Sequence, residues 1–171
     1  MSIEKHRRES QELRISLCVV VTSDKVARGV HVDEVVPTVS RILSRYNVGL
    51  GGHEVVPNDR DLIIEALARN LEKCDVVLVS GGTGLGPRDV SVDVVRGMCS
   101  KDIPGFGELF RYITFQIHGS AALATRAIAC AVRDKLVFVT PGSPAAVELA
   151  LDKLVLPEIR HLVAELRGLR R

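Results

Sequence analysis

The stretch DVVLVSGGTGLGPRDVS, residues 75–91, decides the fold. Val76 to Ser80 form an apolar run of the length of a buried strand and far short of a membrane span. The run breaks into Gly81-Gly82-Thr83-Gly84, turns at Gly86-Pro87, passes an Arg-Asp pair and enters a helix at Ser91. A strand that ends in glycines before a helix is a place where α/β proteins hold phosphates. Backbone N–H groups in a loop without side chains approach phosphate oxygens closely, and the helix N-terminus adds partial positive charge.

Two further strands frame this one. Arg14 to Thr22 (RISLCVVVT) is β-branched and nearly continuous in apolarity, the pattern of a strand covered on both faces. It stops at Ser23-Asp24, and Lys25 to Gly29 read as a flexible loop. Lys135 to Thr140 (KLVFVT) is equally apolar and ends in Pro141-Gly142-Ser143-Pro144. There Ser143 is placed as an N-cap and Pro144 as the first residue of a helix running through Leu154.

Helices fill the intervals. Val35, Val39, Ile42 and Leu43 recur at helical spacing, and Pro37 puts the start of that helix near Val36. Gly49, Gly51 and Gly52 mark a turn before a short strand, His53 to Val56. Asn58 or Asp59 caps a helix to about Lys73, with Leu62, Ile63, Ala66, Leu67 and Leu71 on one stripe. A short helix follows from Val92 to Met98, with Ser91 as its cap. A Pro104-Gly105 turn leads into an amphipathic helix. Ser120 to Val132 is rich in small residues and suits close helix packing or the lining of a pocket. A last helix starts at Pro157, with Arg167 favourable near its end.

Strands alternating with helices imply an α/β fold with a mostly parallel sheet covered on both faces. At 171 residues the chain is one domain, residues 14–171, behind an N-terminal arm of mixed charge, residues 1–13. Ligands bind beyond the carboxyl ends of such strands. Ser23-Asp24, Ser80 to Asp89 and Thr140 to Ser143 are therefore expected to converge.

Composition narrows the function classes. A net charge of +2, no Trp and only four Phe and two Tyr disfavour nucleic-acid binding. No apolar stretch is long enough for a membrane span and no signal peptide is visible, so the expected location is the cytoplasm. The four cysteines, at 18, 74, 99 and 130, are read as buried thiols of a reducing compartment. Three Asn and two Gln are few, a bias that fits a thermophile.

Each candidate has a plainer alternative. Gly81 to Gly84 could be a tight turn alone, for it is neither a P-loop nor GxGxxG. The Pro141 to Pro144 segment could be only a helix cap, and Asn58 and Asp59 could serve only as caps. Asp89 could merely pair with Arg88. A carboxylate beside phosphate donors makes more sense if it holds Mg²⁺ that bridges to phosphate oxygens.

Several motifs in order resemble the MogA/MoaB family of molybdenum-cofactor biosynthesis proteins. They are SGGTGLGPRDVS, PGFGELFR (104–111), Thr125-Arg126-Ala127, and VTPGSPAAVELAL (139–151). The Ser-Asp after the first strand and VPND at 56–59 add to them, and the resemblance runs from about Ile15 to Val163. PGFGELFR and the closing LPEIRHLV bring the chain nearest to the MoaB branch. The resemblance implies a three-layer α/β/α sandwich assembled as a trimer or hexamer. It implies binding of molybdopterin and, in active members, MgATP, with transfer of AMP to the terminal phosphate of molybdopterin, release of pyrophosphate, and handover to a downstream metal-insertion protein.

By the same correspondence Asp89 is one of two required carboxylates. The three strand-end loops supply the expected ligand-binding residues: Ser23, Asp24, Ser80, Gly81, Gly82, Thr83, Gly84, Pro141, Gly142 and Ser143. The second carboxylate belongs to a V-P-D-[DE] motif, where this chain has Asn58 followed by Asp59. Either Asp59 or Asp61 takes over, or the metal site is weakened, or catalysis is reduced or absent. A second departure is Asp33-Glu34-Val35-Val36 where the family often has D-x-S-G. Two other readings stand beside the adenylyltransferase: a catalytically weak pterin carrier or scaffold, and a nucleotide pyrophosphatase like the related domain of CinA-type proteins.

Overall fold

A computed structural model describes residues 13–169. The arm expected over residues 1–13 falls outside them except for Leu13, which packs against the core. Six strands form one sheet: β1 (Ser16–Thr22), β2 (Gly49–Val56), β3 (Val76–Ser80), β4 (Lys101–Asp102), β5 (Ile128–Val132) and β6 (Lys135–Thr140). Their order is β2-β1-β3-β6-β5-β4. The pairs β2-β1, β1-β3 and β3-β6 are parallel, while β5 runs antiparallel to both neighbours. The mostly parallel sheet is as expected.

The helices are α1 (Asp24–Ala27), α2 (Val35–Tyr46), α3 (Arg60–Lys73), α4 (Ser91–Met98), α5 (Pro104–His118), α6 (Pro144–Ala150) and α7 (Leu156–Leu166). Alternation along β1 divides the core in two. Leu17, Val19 and Val21 point to the side packed by α2, α5, α6 and α7. Cys18 and Val20 point to the side packed by α3 and α4. The result is the three-layer α/β/α sandwich. Both faces of the central strands are apolar because both are covered, which is why they read as unbroken runs.

Several local expectations need correction. Lys25 to Gly29 is not all loop, because Ser23 Oγ accepts the Val26 N–H and nucleates α1. Helix α2 begins at Val35, with Asp33 Oδ1 accepting the N–H groups of Val35 and Val36. The glycines at 49, 51 and 52 are not a turn but the first half of β2. The register slips there: Leu17 faces Leu50 and Cys18 faces Gly52, so Gly51 is a bulge residue. A Cβ at Gly51 would collide with Cys74 Sγ, so the strand carries glycine where the backbone passes closest to its neighbours.

The small-residue stretch from Ser120 divides into a 3₁₀ turn (Gly119–Ala124) and the strand β5, so its second half belongs to the sheet. Leu62 lies outside the buried stripe of α3, which instead includes Asn70. The helix after β6 does not end at Leu154: a π turn (Leu151–Val155) carries it into α7.

The cysteines are not free thiols. Cys18 is bonded to Cys74 and Cys99 to Cys130. The partners are 56 and 31 residues apart, and only the packing of β1 against the start of β3, and of α4 against β5, brings them together. On a chain-entropy account such closures contribute about 4 kcal/mol each. Both lie on the α3/α4 side of the sheet, in a core otherwise dominated by Val.

Asp75 ties β3 to its surroundings at the other end of the sheet. Its Oδ2 accepts the Ser16 N–H and hydroxyl, and its Oδ1 accepts Arg167 from beyond α7 at 2.6 Å. Burial raises this carboxyl, but the Ser16 and Arg167 donors outweigh it and hold it below its usual range.

Candidate functional site

Register delivers the expected convergence. Val21 pairs with Ser80 and Ser80 with Thr140, while Thr22 pairs with Val56. Four parallel strands thus end side by side. The chain leaves β1 and β6 toward one face and β2 and β3 toward the other, so the loops diverge around β3. That divergence is the switch point where open α/β sheets bind ligands.

The glycines after β3 do distinct work. Gly81 and Gly82 have φ of +111° and +66°, which side-chain-bearing residues rarely adopt. Added Cβ atoms there would collide with the Thr22 backbone and with Ser91 Oγ. Gly84 and Gly86 make room for Asp89, since a Cβ on either would lie 2.8 Å from Asp89 Oδ2. That oxygen accepts the Gly86 N–H at 3.0 Å. Asp89 therefore sits beside the glycine loop, as expected, and turns back onto it. It does not pair with Arg88.

The Gly81 N–H continues the sheet by donating to the Thr140 carbonyl at 2.9 Å. The N–H groups of Gly82, Thr83 and Gly84 have no acceptor among the described residues. In the loop after β6, Ser143 caps α6 as expected, its Oγ accepting the Ala146 N–H at 3.2 Å. Its hydroxyl hydrogen and the N–H groups of Gly142 and Ser143 stay available. A Cβ on Gly142 would lie 3.4 Å from Gly81 Cα, so the two loops touch. Ser80 is fully buried and donates to the Pro141 carbonyl at 3.4 Å, linking them from below.

Ser91 does not cap α4. It is buried, and its Oγ lies 3.1 Å from Thr22 Oγ1 beneath the loop. The brace that sequence reasoning missed is Arg126. Its N–H donates to the Thr83 carbonyl, its Nε to the Gly84 carbonyl and its NH2 to the Asp89 carbonyl. Its NH1 reaches both carboxylate oxygens of Asp93 at 3.0 Å. The Thr-Arg-Ala motif flagged the residue without a role, because every partner lies more than thirty positions upstream.

The turn after β2 is built differently. Asp59 caps α3, its Oδ1 accepting the N–H groups of Asp61 and Leu62. The Asn58 N–H donates to Asp24 Oδ1, but Asn58 Oδ1 is buried with no hydrogen-bond partner, near the Cβ position of Gly82. Thr140 Oγ1 is a second buried oxygen without a partner below these loops. Among the described residues no group of three or more His, Cys, Asp or Glu side chains could hold a metal. Asp89 Oδ1 and Asn58 Oδ1 are the uncommitted oxygens along the glycine loop. One carboxylate and one carbonyl suit Mg²⁺ only as a guest shared with substrate phosphates.

Asp24 ties the loops together. Its Oδ1 accepts Arg88 NH2 at 2.7 Å and its Oδ2 accepts Arg88 Nε at 3.1 Å. Arg88 and the Asn58 N–H hold this carboxyl down at about 2.

A cavity of about 590 Å³ opens beside Thr83 and Ser143 and runs between α5, the 3₁₀ turn and α6. Phe110, Ile117, Ala146 and Leu149 make most of it apolar. An apolar chamber that ends in hydroxyl and N–H donors suits a flat organic ligand carrying a phosphate.

Fold and site thus define an α/β protein with unused N–H donors at its strand edge and an adjoining apolar chamber. The family model described as "Probable molybdopterin binding domain" matches residues 18–161, and the chain belongs to that family. The molybdenum cofactor biosynthesis protein B of Bacillus subtilis (strain 168) is 34% identical over 170 residues, covering 98% of each chain. A crystal structure of a molybdenum cofactor biosynthesis protein B matches with a TM-score of 0.85 and 36% identity, over 91% of this chain and 98% of that one. The tungsten cofactor synthesizing protein MoaB from Pyrococcus furiosus matches with a TM-score of 0.84 and 31% identity, over 90% and 98%.

Proposed function

We propose that this protein is a molybdopterin adenylyltransferase of molybdenum cofactor biosynthesis. The observation that carries the reading is the contact between two loops with unused donors, Gly82 to Gly84 and Gly142-Ser143, at the mouth of an apolar chamber. In the proposed reaction a terminal phosphate oxygen of molybdopterin attacks the α-phosphorus of ATP. The new P–O bond forms as the bond to the β-phosphate oxygen breaks, and pyrophosphate leaves with the electron pair. No side-chain nucleophile is required. The difficulty is the approach of two polyanions, which fixed N–H donors and Mg²⁺ relieve.

In this reading Asp89, with the Asn58 carbonyl and Asp59, would hold Mg²⁺, which would supply positive charge against the substrate phosphates. The chain works as a homo-oligomer, trimer or hexamer, and passes its product to a metal-insertion protein. Helix α5 supports the assembly: Leu109, Tyr112 and Phe115 are 53%, 62% and 56% exposed along one side of it, apolar surface that a partner copy would cover. Among the described residues no helix is long and apolar enough to cross a membrane, and we assign the protein to the cytoplasm. Buried disulfides there fit a heat-adapted organism.

The test is incubation with molybdopterin and MgATP. Adenylylated pterin and pyrophosphate in equal amounts are expected, and neither product forming would refute the enzyme. One specific observation supports a second reading, a pterin carrier: a charge-bearing partner for Asp89 is replaced by a carbonyl, Asn58 Oδ1. Pterin binding without ATP turnover selects it.

A further inference from the structure

Arg88 stands at the exposed tip of the glycine loop, with Leu85, Gly86 and Pro87. Its guanidinium is paired bidentately with Asp24, yet its side chain remains 63% exposed. The pair bridges the mouth of the switch point, joining the loop after β3 to the loop after β1. A second arginine meets it there. Arg28 donates Nε to the Asp24 carbonyl at 3.0 Å, and its NH1 and NH2 have no partner among the described residues. Asp24, Arg28, Pro57 and Arg88 line a separate cavity of about 400 Å³.

Two guanidiniums and one carboxylate around an open cavity, next to a loop of unused N–H donors, is an unusual balance of charge. A surface ion pair of this exposure contributes little to stability. Asp24 is also held by the Asn58 N–H at 2.9 Å, so it keeps its place without Arg88. The guanidinium fork that grips a carboxylate matches a phosphate in the same way, and a diphosphate carries more charge.

We propose that Arg88 and Arg28 form a diphosphate subsite, and that Asp24 occupies Arg88 until a diphosphate group displaces it. Resting on the adenylyltransferase reading, the subsite takes the β- and γ-phosphates of ATP and then the departing pyrophosphate. Asp24 is a positioning residue: it keeps Arg88 aimed at the cavity and competes with the ligand for it.

The opposite signs of two substitutions test the proposal. Binding of inorganic pyrophosphate and of AMP to the full chain is measured by calorimetry for wild type, Arg88→Gln, Arg88→Lys and Asp24→Asn. Arg88→Gln is expected to weaken pyrophosphate binding at least tenfold and AMP binding less than twofold. Arg88→Lys keeps the charge but loses the fork and falls between. Asp24→Asn removes the competitor, retains a carbonyl for the Asn58 N–H, and is expected to tighten pyrophosphate binding at least threefold. The proposal is overturned if Arg88→Gln binds pyrophosphate within twofold of wild type, or if Asp24→Asn fails to tighten it. Arg88 and Asp24 lie outside the hydrophobic core, so the three variants are expected to fold, which their melting temperatures check. Adenylylation by the wild type is assayed separately. Activity with an unaltered Arg88→Gln affinity removes the subsite alone, and Arg88-dependent pyrophosphate binding without activity removes the enzyme alone.

Discussion

The loop after β3 and the turn after β2 meet at the same strand edge, yet they are held in opposite ways. The glycine loop is bound from outside: Arg126 spans its Thr83, Gly84 and Asp89 carbonyls and is anchored on Asp93. Asp89 is fixed by the Gly86 N–H and keeps one oxygen uncommitted. The turn is bound from within: Asp59 spends Oδ1 on capping α3, and Asn58 faces the loop with a buried, unpartnered carbonyl. The difference teaches where rigidity has been placed. The part that keeps a carboxylate oxygen free beside the glycines is the braced part, whereas the turn presents the Asn58 carbonyl there and spends Asp59 Oδ1 on its own helix.

Substitutions in the two parts should therefore separate. Asp89→Asn should have the largest effect, a loss of adenylylation of at least about 100-fold with the melting temperature unchanged. The amide still accepts the Gly86 N–H, so the loop survives; retained activity would take Asp89 out of the chemistry. Arg126→Ala should cost about 2–3 kcal/mol of stability, because the Gly84 and Asp89 carbonyls and the Asp93 carboxylate lose a charged donor. Urea denaturation measures it, and a loss under 0.5 kcal/mol would mean that the loop holds its shape unaided.

Across the edge, Asp59→Ala should cost only about 1 kcal/mol, the worth of an N-cap. A fall in turnover beyond what that instability explains would make Asp59 a metal ligand as well. Asn58→Asp should raise the affinity for Mg²⁺ in the presence of nucleotide; unchanged Mg²⁺ dependence of turnover would leave the second position to Asp59. The smallest effect concerns pH. Asp24 has a folded-state value depressed from 3.8 to about 2, so its tie to Arg88 is complete above the ordinary carboxylate range and is lost only as pH falls through about 2. A carboxyl-carbon NMR titration should show no protonation of Asp24 between pH 7 and 4. A midpoint near 3.8 would mean that the pair does not persist in solution.

Much of this architecture is legible in the chain because burial on both faces writes unbroken apolar runs. β1, β3 and β6 announce themselves in this way, and their three terminal loops are where the ligand-binding edge was expected. The Ser143 cap and the seat of Asp89 beside the glycines were equally local signals. What escaped the sequence is contact at long range. Only the second half of β2 is legible; the first half hides behind glycines, of which Gly51 is required by the Cys18–Cys74 bridge beside it. β5 hides in a run of small residues whose strand character comes from pairing with β6. The disulfides and Arg126 depend on neighbours that only the folded sheet supplies. Asp24 is legible as part of the ligand edge, but its pairing with Arg88, 64 positions away, is not.

The central claim is that the Gly82–Gly84 and Gly142–Ser143 donors share one phosphate site. A crystal structure with AMP bound tests it most directly. The account predicts the α-phosphate within hydrogen-bond distance of N–H groups from both loops, with Asp89 beside it. A nucleotide phosphate bound away from both loops would contradict it.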